Sequence, residues 1–558
     1  MHFRFVSAAI IGVVAAATSL QAHAACTPIS TVADFDLIRT ALNGSFCLAN
    51  DIDFAGTGKF IPIGSAVHPF TGTFRGNDHA LRSLTITSAM PAVGLFGVID
   101  GGTVRNVRFP GVAIRSTRDD ALVGAVAGEM INNVTIHGIS VSGQVRCTGT
   151  ICRVGGIAGE VDAGIIARVS VAASIVGGNG GAAGGVVGES SGEIHRAYAT
   201  GPIACGSNCA AGGLVGFLGP GGRIIKSFSS APVGGGTDGS AGGLVGTGYG
   251  SVSISYSTGS VRTAGNALVA SSVGYFAGVL AQDFAIGRVH PGTGSTAGGL
   301  VAALAAKPAH VGSSYWDIDT THMSASRKGT GLTDAQLRAA LPSGFGAPWD
   351  ITKGYSYPFL NLPELPYVST LAILVQPGKI FTFLPIEQLE PTEYLTPPNF
   401  ADSASLAAVY TMIARAVGYT DIDPAIKATK IDEYFWNDAN QTATWTGPVT
   451  SYATLSSPLT LPAGTPIDDS NIIGALKSKH IVIIGGHYDL PGGGTALHSM
   501  LATLFTADGG NVTTNLIAND PWTGTQVWID LATHQVVRPA GFPLTNFTVD
   551  SYQSVTLN

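Results

Sequence analysis

From about residue 90 to residue 302, apolar residues return in short clusters framed by glycine. Gly94-Leu95-Phe96-Gly97 is followed by Gly124-Ala125-Val126-Ala127-Gly128 and Gly155-Gly156-Ile157-Ala158-Gly159. Gly184-Gly185-Val186-Val187-Gly188, Gly212-Gly213-Leu214-Val215-Gly216 and Gly242-Gly243-Leu244-Val245-Gly246 continue the series. Ala277-Gly278-Val279-Leu280 reads as a weaker copy, and Gly298-Gly299-Leu300-Val301 closes it. The strong copies lie 28 to 31 residues apart. Between them run alternating segments such as Arg105-Asn106-Val107-Arg108-Phe109 and Ile194-His195-Arg196-Ala197-Tyr198-Ala199, whose period of two predicts strands. A unit this small cannot bury its apolar face alone, so the units must stack on a shared interior. Helical repeats of this length need apolar residues at i, i+3 and i+4, whereas these units are rich in Gly, Ser, Thr and Val. The pattern predicts a mainly β chain built on a right-handed parallel β-helix, with a β-propeller as the alternative. Leu214 and Leu244 should then lie at equal depth in adjacent coils.

After Pro366 the glycine rhythm stops. Leu371–Val375 and Lys379–Leu384 read as two strands around the Pro377-Gly378 turn, and a proline-broken connector follows to Pro398. Residues 403–417 read as a helix, with Leu406, Val409, Tyr410 and Ile413 on one face and Asp402 or Ser403 as its cap. Strands are predicted at Ile481–Ile484, Leu497–Phe505, Val512–Ala518 and Gln526–Asp530. One helix followed by an antiparallel sheet makes a smaller α+β domain.

The start of the chain sets the compartment. A short basic start (Met1–Arg4), an apolar run from Val6 to Thr18 and the small-x-small pattern Ala22-His23-Ala24 predict a secretory signal peptide. The apolar run is too short to span a bilayer, and His23 disfavours lipid attachment to Cys26. The six cysteines, all within the first 210 residues, are spaced as three local disulfides: Cys26–Cys47, Cys147–Cys152 and Cys205–Cys209. No histidines stand beside them at zinc-ligand spacing. With 75 glycines and 12% charged residues in 558, the chain is neither disordered nor collagen-like. A net charge of −7 lacks the overall basicity of a nucleic-acid partner, and no basic–aromatic stripe is visible. No phosphate loop or dinucleotide fingerprint occurs, so no cofactor is expected.

The Gly-Gly-Leu-Val-Gly units resemble the GLUG repeat of bacterial secreted adhesins and immunoglobulin-A-peptidase-like surface proteins. The opening segment Leu48–Phe54, Pro69–Gly76, and the closing motifs Ser314-Tyr315-Trp316-Asp317, Gly329–Thr333, Trp349 and Tyr357-Pro358-Phe359-Leu360 resemble the two ends of such arrays. This resemblance covers about residues 30 to 365 and implies the fold more than the function. Within the array the acids Asp119, Asp120, Glu129, Glu160, Asp162, Glu189, Glu193, Asp238 and Asp283 show no common phase. A carboxylate ladder suited to sugar chemistry is therefore not expected. Asp51 and Asp53 read as caps of a first coil rather than as calcium ligands.

The C-terminal part resembles the papain-like cysteine peptidases that remove double-glycine leaders from bacteriocins. Ala401-Asp402-Ser403-Ala404-Ser405-Leu406-Ala407 stands where that family opens its cysteine helix. Ala496-Leu497-His498-Ser499-Met500-Leu501 is similar to its histidine strand, and Asn519-Asp520-Pro521-Trp522 to its Asp-Pro motif. The resemblance implies His498 as base and Asp520 as its orienter. The nucleophile position falls on Ala401, and residues 393–400 lack the glutamine that would bind the oxyanion. Without a thiol the family's chemistry is lost. His487 and Asp489 read as solvent-facing residues of a glycine-rich loop rather than as a metal site.

The expected organisation is a signal peptide over 1–24, a solenoid over 26–365, a connector over 366–395 and a peptidase-like domain over 396–558. The expected function is that of an exported, adhesin-type binding protein, secreted, surface-held or periplasmic. Its partner would be a peptide, protein or glycan, and the empty cleft would hold an extended peptide by edge pairing. The alternative is a secreted hydrolase using Ser403 or Ser405 with His498 and Asp520.

Overall fold

The structure, a computed structural model, describes residues 26–305, 309–351, 353–354, 356–362, 373–376, 379–382, 409–410, 413, 436–437, 442–443, 453–462, 465–468, 470–478, 480–489, 495–507, 513–520, 525–531, 536–538 and 547–557. The predicted signal peptide, Ala401, Ser403, Ser405 and most of the connector lie outside these residues.

Period-two alternation and paired glycines fold residues 27–332 into a parallel β-solenoid of about nine turns. In a representative coil, Ala182–Gly184 is a rung of one eight-stranded sheet, and Val187–Ser190 a rung of a second. Glu193–Ala199 and Ile203–Ala204 then join a long sheet of 20 strands before the chain enters the next coil. Each rung pairs in parallel with its neighbours one coil away. Interior side chains stack in columns, for example Val123, Val154, Ala183, Ala211, Ala241 and Val269, all buried. Leu214 and Leu244 lie at equal depth as expected: both are fully buried, and the Leu214 N–H donates to the Leu244 carbonyl at 2.9 Å. The glycines are sterically required where coils touch; a Cβ on Gly213 would collide with the carbonyl oxygen of Gly243.

The weak seventh repeat has to be moved. Val273 pairs with Val245 and Val301, so the unit in phase is Ala270-Ser271-Ser272-Val273-Gly274. Ala277–Leu280 instead leads into the long sheet, where Leu280 pairs with Val252. Serines replace the glycine and leucine that mark the other units, which hid this copy. Ser272 thus occupies the column of Leu214, Leu244 and Leu300. Its hydroxyl donates to Asp283 Oδ2 at 2.6 Å inside the solenoid. Asp283 belongs to a second interior column in which Val107, Ile139, Val169 and Ala197 give way to Ser227, Ser255, Asp283 and Ser314. There each serine hydroxyl accepts a backbone N–H from the preceding coil: Ser227 from Ala197, Ser255 from Ser227, Ser314 from Asp283.

Next to that column, aromatic rings stack outside the sheet. Tyr198, Phe228, Tyr256 and Phe284 lie nearly parallel with centroids 4.9 to 5.1 Å apart, the coil spacing imposed by strand pairing. Trp349 and Tyr357 close over the far end of the stack. The motifs at the two ends act as caps. Asp51 accepts from the Ala80 N–H and pairs with His79 and Arg82, the capping role expected of it. At the other end the Tyr357 hydroxyl bridges the carboxylates of Asp317 and Asp334. The three disulfides form as the spacing predicted.

Beyond the solenoid, Ile373–Gln376 and Lys379–Thr382 form the expected hairpin. Val409, Tyr410 and Ile413 are helical and buried, in line with the predicted helix. A smaller antiparallel sheet follows, in the spatial order 453–455, 547–557, 481–489, 495–507, 513–520, 525–530 and 536–538, with 459–460 also paired to 547–557. Helix Ile472–Lys477 places Ile472, Ile473 and Leu476 in one core with Val482, Ile484, Met500 and Leu516.

Candidate functional site

In a β-strand, residues before and after an interior side chain point outward. Rungs of the second eight-stranded sheet close their glycine unit and then present one outward position: Glu129 after Gly128, Glu160 after Gly159, Glu189 after Gly188. The register pairs Glu129 with Glu160 and Glu160 with Glu189. Three of the nine acids do share a phase, which corrects the reading from sequence for those three. Three carboxylates form a ladder, one per coil. The unequal spacing of 31 and then 29 residues concealed it.

Arg153, from the neighbouring sheet, serves this ladder. Its guanidinium lies 2.6 Å from Glu189, 3.5 Å from Glu160 and 3.3 Å from Asp120. Burial lowers the Arg153 pKa, and the bond to Glu189 with the other carboxylates more than reverses this. The carboxyl of Glu160 is pushed up to about 7, first by burial and then by Glu189, Asp162 and Glu129, with Arg153 opposing. Glu129 is also raised, by burial and by Asp162. Near neutral pH, a partly protonated Glu160 therefore stands beside a Glu189 tied to arginine. Such a pair can both donate to and accept from hydroxyl groups.

The same outward column continues into aromatic side chains. Glu189 pairs with Phe217, Phe217 with Thr247 and Thr247 with Tyr275. Tyr249 fills the space beside Thr247, with its ring 5.5 Å from Phe217 and 6.0 Å from Tyr275. Tyr249 is 40% exposed, and Phe217 and Tyr275 are half-buried. One outer edge of the solenoid thus runs from carboxylates to aromatic rings over six consecutive coils.

The C-terminal sheet holds the residues singled out from sequence. His498 lies in strand Thr495–Ala507, opposite Gly486, and is buried. Asp520 ends the adjacent strand Thr513–Asp520, one rung beyond the Leu501–Asn519 pair. The backbone therefore brings the two onto neighbouring strands. His487 and Asp489 belong to strand Ile481–Asp489 and not to a loop, which corrects the earlier expectation. His487 Nδ1 is 2.7 Å from Asp550 Oδ2. Asp550 was not foreseen, because it lies 63 residues away and meets His487 only through the pairing of the last strand with Ile481–Asp489. All six cysteines are in disulfides.

No protein-family model matches the chain. A stretch of 138 residues, 24% of the chain, is 32% identical to halomucin of Haloquadratum walsbyi. Another alignment, over 121 residues or 20% of the chain, is 34% identical to a candidate Gly-rich membrane protein of Evansella cellulosilytica. The chain spans 1% and 14% of the length of these relatives. Among solved structures, a candidate immunoglobulin A1 protease from Bacteroides ovatus is similar at a TM-score of 0.38 and 18% identity, over 61% of this chain and 93% of that one. An IgA1 protease is similar at 0.32 and 14%, over 92% of this chain and 34% of the other. Among the described residues no helix is long and apolar enough to cross a membrane.

Proposed function

We propose that the chain is an exported binding protein of adhesin type, whose solenoid takes an extended glycan along the edge from Glu129 to Tyr275. The observation that carries this reading is the coil-by-coil continuity of carboxylates and aromatic rings on one outer column. Sugar hydroxyls suit the mixed donor and acceptor capacity of Glu160 and Glu189, and the apolar faces of sugar rings suit Phe217, Tyr249 and Tyr275. The disulfides agree with an oxidising compartment.

Paired carboxylates also suggest glycan hydrolysis, but Arg153 contacts both Glu160 and Glu189. A glycosidase needs the gap between its carboxylates for the scissile bond and water. Binding is therefore the better reading. In the same reading the C-terminal domain is a peptidase-like module without its thiol, which retains peptide capture and not cleavage.

Calorimetric titration of the full chain with linear β-linked hexasaccharides tests the glycan edge. Phe217→Ala and Tyr275→Ala should each weaken binding by about fivefold, the scale of one lost aromatic contact. Equal affinity in all three proteins would reject this edge as the site.

A further inference from the structure

The long sheet carries a second coil-spaced column whose chemistry is opposite to that of the glutamate ladder. In five consecutive coils it presents Arg105, His137, Arg168, His195 with Arg196, and Lys226. The register fixes the alignment. Arg105 pairs with His137, His137 with Ala167, Ala167 with His195 and His195 with Ile225. Arg168, Arg196 and Lys226 follow Ala167, His195 and Ile225 directly and so stack on one another.

These three cations adopt an unusual backbone. Their φ values are 53°, 54° and 52°, in the left-handed region that non-glycine residues seldom occupy. The same position is Asn106 and Gly138 in the two preceding coils, the residue types that favour this conformation. The three following coils place Ile254, Gln282 and Ser313 at this position, also left-handed at 52°, 54° and 44°. The fold therefore sets the backbone there without selecting a residue type, and the run of three cations is carried by the sequence laid on it. Both histidines are held below their ordinary pKa, first by burial. For His137 the charges that add to this are Arg168, His195, Arg105 and Arg196. For His195 they are Arg196, Arg168 and Lys226, opposed by Glu193. Glu193 in turn pairs with Arg223. The column is thus a local field of positive charge on a chain of net charge −7.

We infer that this column binds a linear anionic polysaccharide, sulfated or carboxylated, laid along the solenoid axis. Coil stacking spaces the cations at about 4.8 Å, so Arg105 to Lys226 spans about 19 Å in a straight line. A straight chain with charge on its successive sugars can follow that line, while a nucleic-acid strand winds away from it. Tyr198, two residues after Arg196 and half-buried, ends the aromatic stack on Phe228 next to this column. The inference uses a different sheet from the proposed glycan edge and does not depend on it.

The test uses the full chain and heparin as the probe, with single-stranded DNA as the competing polyanion. Heparin binding should weaken as salt rises. The triple variant Arg168→Asn, Arg196→Asn, Lys226→Asn should bind at least about tenfold more weakly and lower the slope of log K against log salt by about two to three. Asparagine suits the left-handed backbone, so this variant should melt no lower than the parent. If it nevertheless melts lower, the parent protein decides the matter through its own salt dependence. Undiminished heparin binding by a folded triple variant, or no heparin binding by the parent at low salt, would overturn the inference. Tighter binding of DNA than of heparin would also overturn it, in favour of a nucleic-acid site.

Discussion

Replacing Ser272 by leucine and Asp283 by serine should stabilise the solenoid only when both changes are made together. Asp283 is fully buried, its Oδ2 accepts from Ser272, and its Oδ1 has no protein partner. Burial holds its carboxyl well above the usual carboxylate range, with the Ser272 bond opposing only in part. Asp283→Ser alone removes an orphaned acceptor but leaves the Ser272 hydroxyl without its acceptor, two effects of about 1–3 kcal/mol each that roughly offset. Ser272→Leu alone strands both carboxyl oxygens in a space the leucine needs, at a cost of about 3 kcal/mol. The double variant restores leucine to the column of Leu214, Leu244 and Leu300, and serine to the column of Ser227, Ser255 and Ser314. It gains burial worth about 1.5–3 kcal/mol. The coupling between the two sites should therefore exceed about 2 kcal/mol. Hydrogen exchange at the Leu244 amide, which donates to the Ser272 carbonyl at 2.8 Å, reports the local opening free energy in all four proteins. Because the native pKa of Asp283 is raised, its contribution is fully present at acid pH and is lost as pH rises above the unfolded value near 4. Asp283→Ser should flatten that decline. Additive single-site effects, within about 0.5 kcal/mol, would refute the reasoning.

Glu160→Gln should remove a titration centred near pH 7, seen by carboxyl NMR. With the native pKa raised, Glu160 favours the folded state at low pH and loses that contribution as pH rises through 7. A parent protein with no carboxyl titrating near 7 would contradict the half-buried ladder. Ala401→Cys tests the peptidase-like reading: if His498 stands over residue 401, the new thiol should alkylate faster with iodoacetamide at neutral pH than a free thiol. An ordinary thiol rate would mean that residue 401 does not face His498.

Much of the solenoid was legible because its signals are local. Glycine units and alternating strands mark each coil, and the two shortest cysteine spacings, 5 and 4 residues, close corners between consecutive strands. What escaped was set by register between coils. Glu129, Glu160 and Glu189 are distant in sequence and unevenly spaced, and become a ladder only when their rungs align. The basic column was invisible for the same reason, and because arginine and lysine give no signal of a left-handed backbone. Ser271 and Ser272 disguised a repeat by replacing its glycine and leucine. In the C-terminal sheet the strands were readable from their apolar runs. The His487–Asp550 contact instead depends on sheet order, which brings the last strand beside Ile481–Asp489.

The central proposal is that the solenoid binds an extended chain without cutting it. Incubating stoichiometric full-length protein with linear β-linked hexasaccharides, and reading bound fraction and chain length from the same samples by mass spectrometry, tests it directly. Saturable binding, weakened by Phe217→Ala, with every hexasaccharide recovered intact is the predicted result. Shortened products that disappear in Glu160→Gln would contradict it and make the glutamate ladder a hydrolytic site.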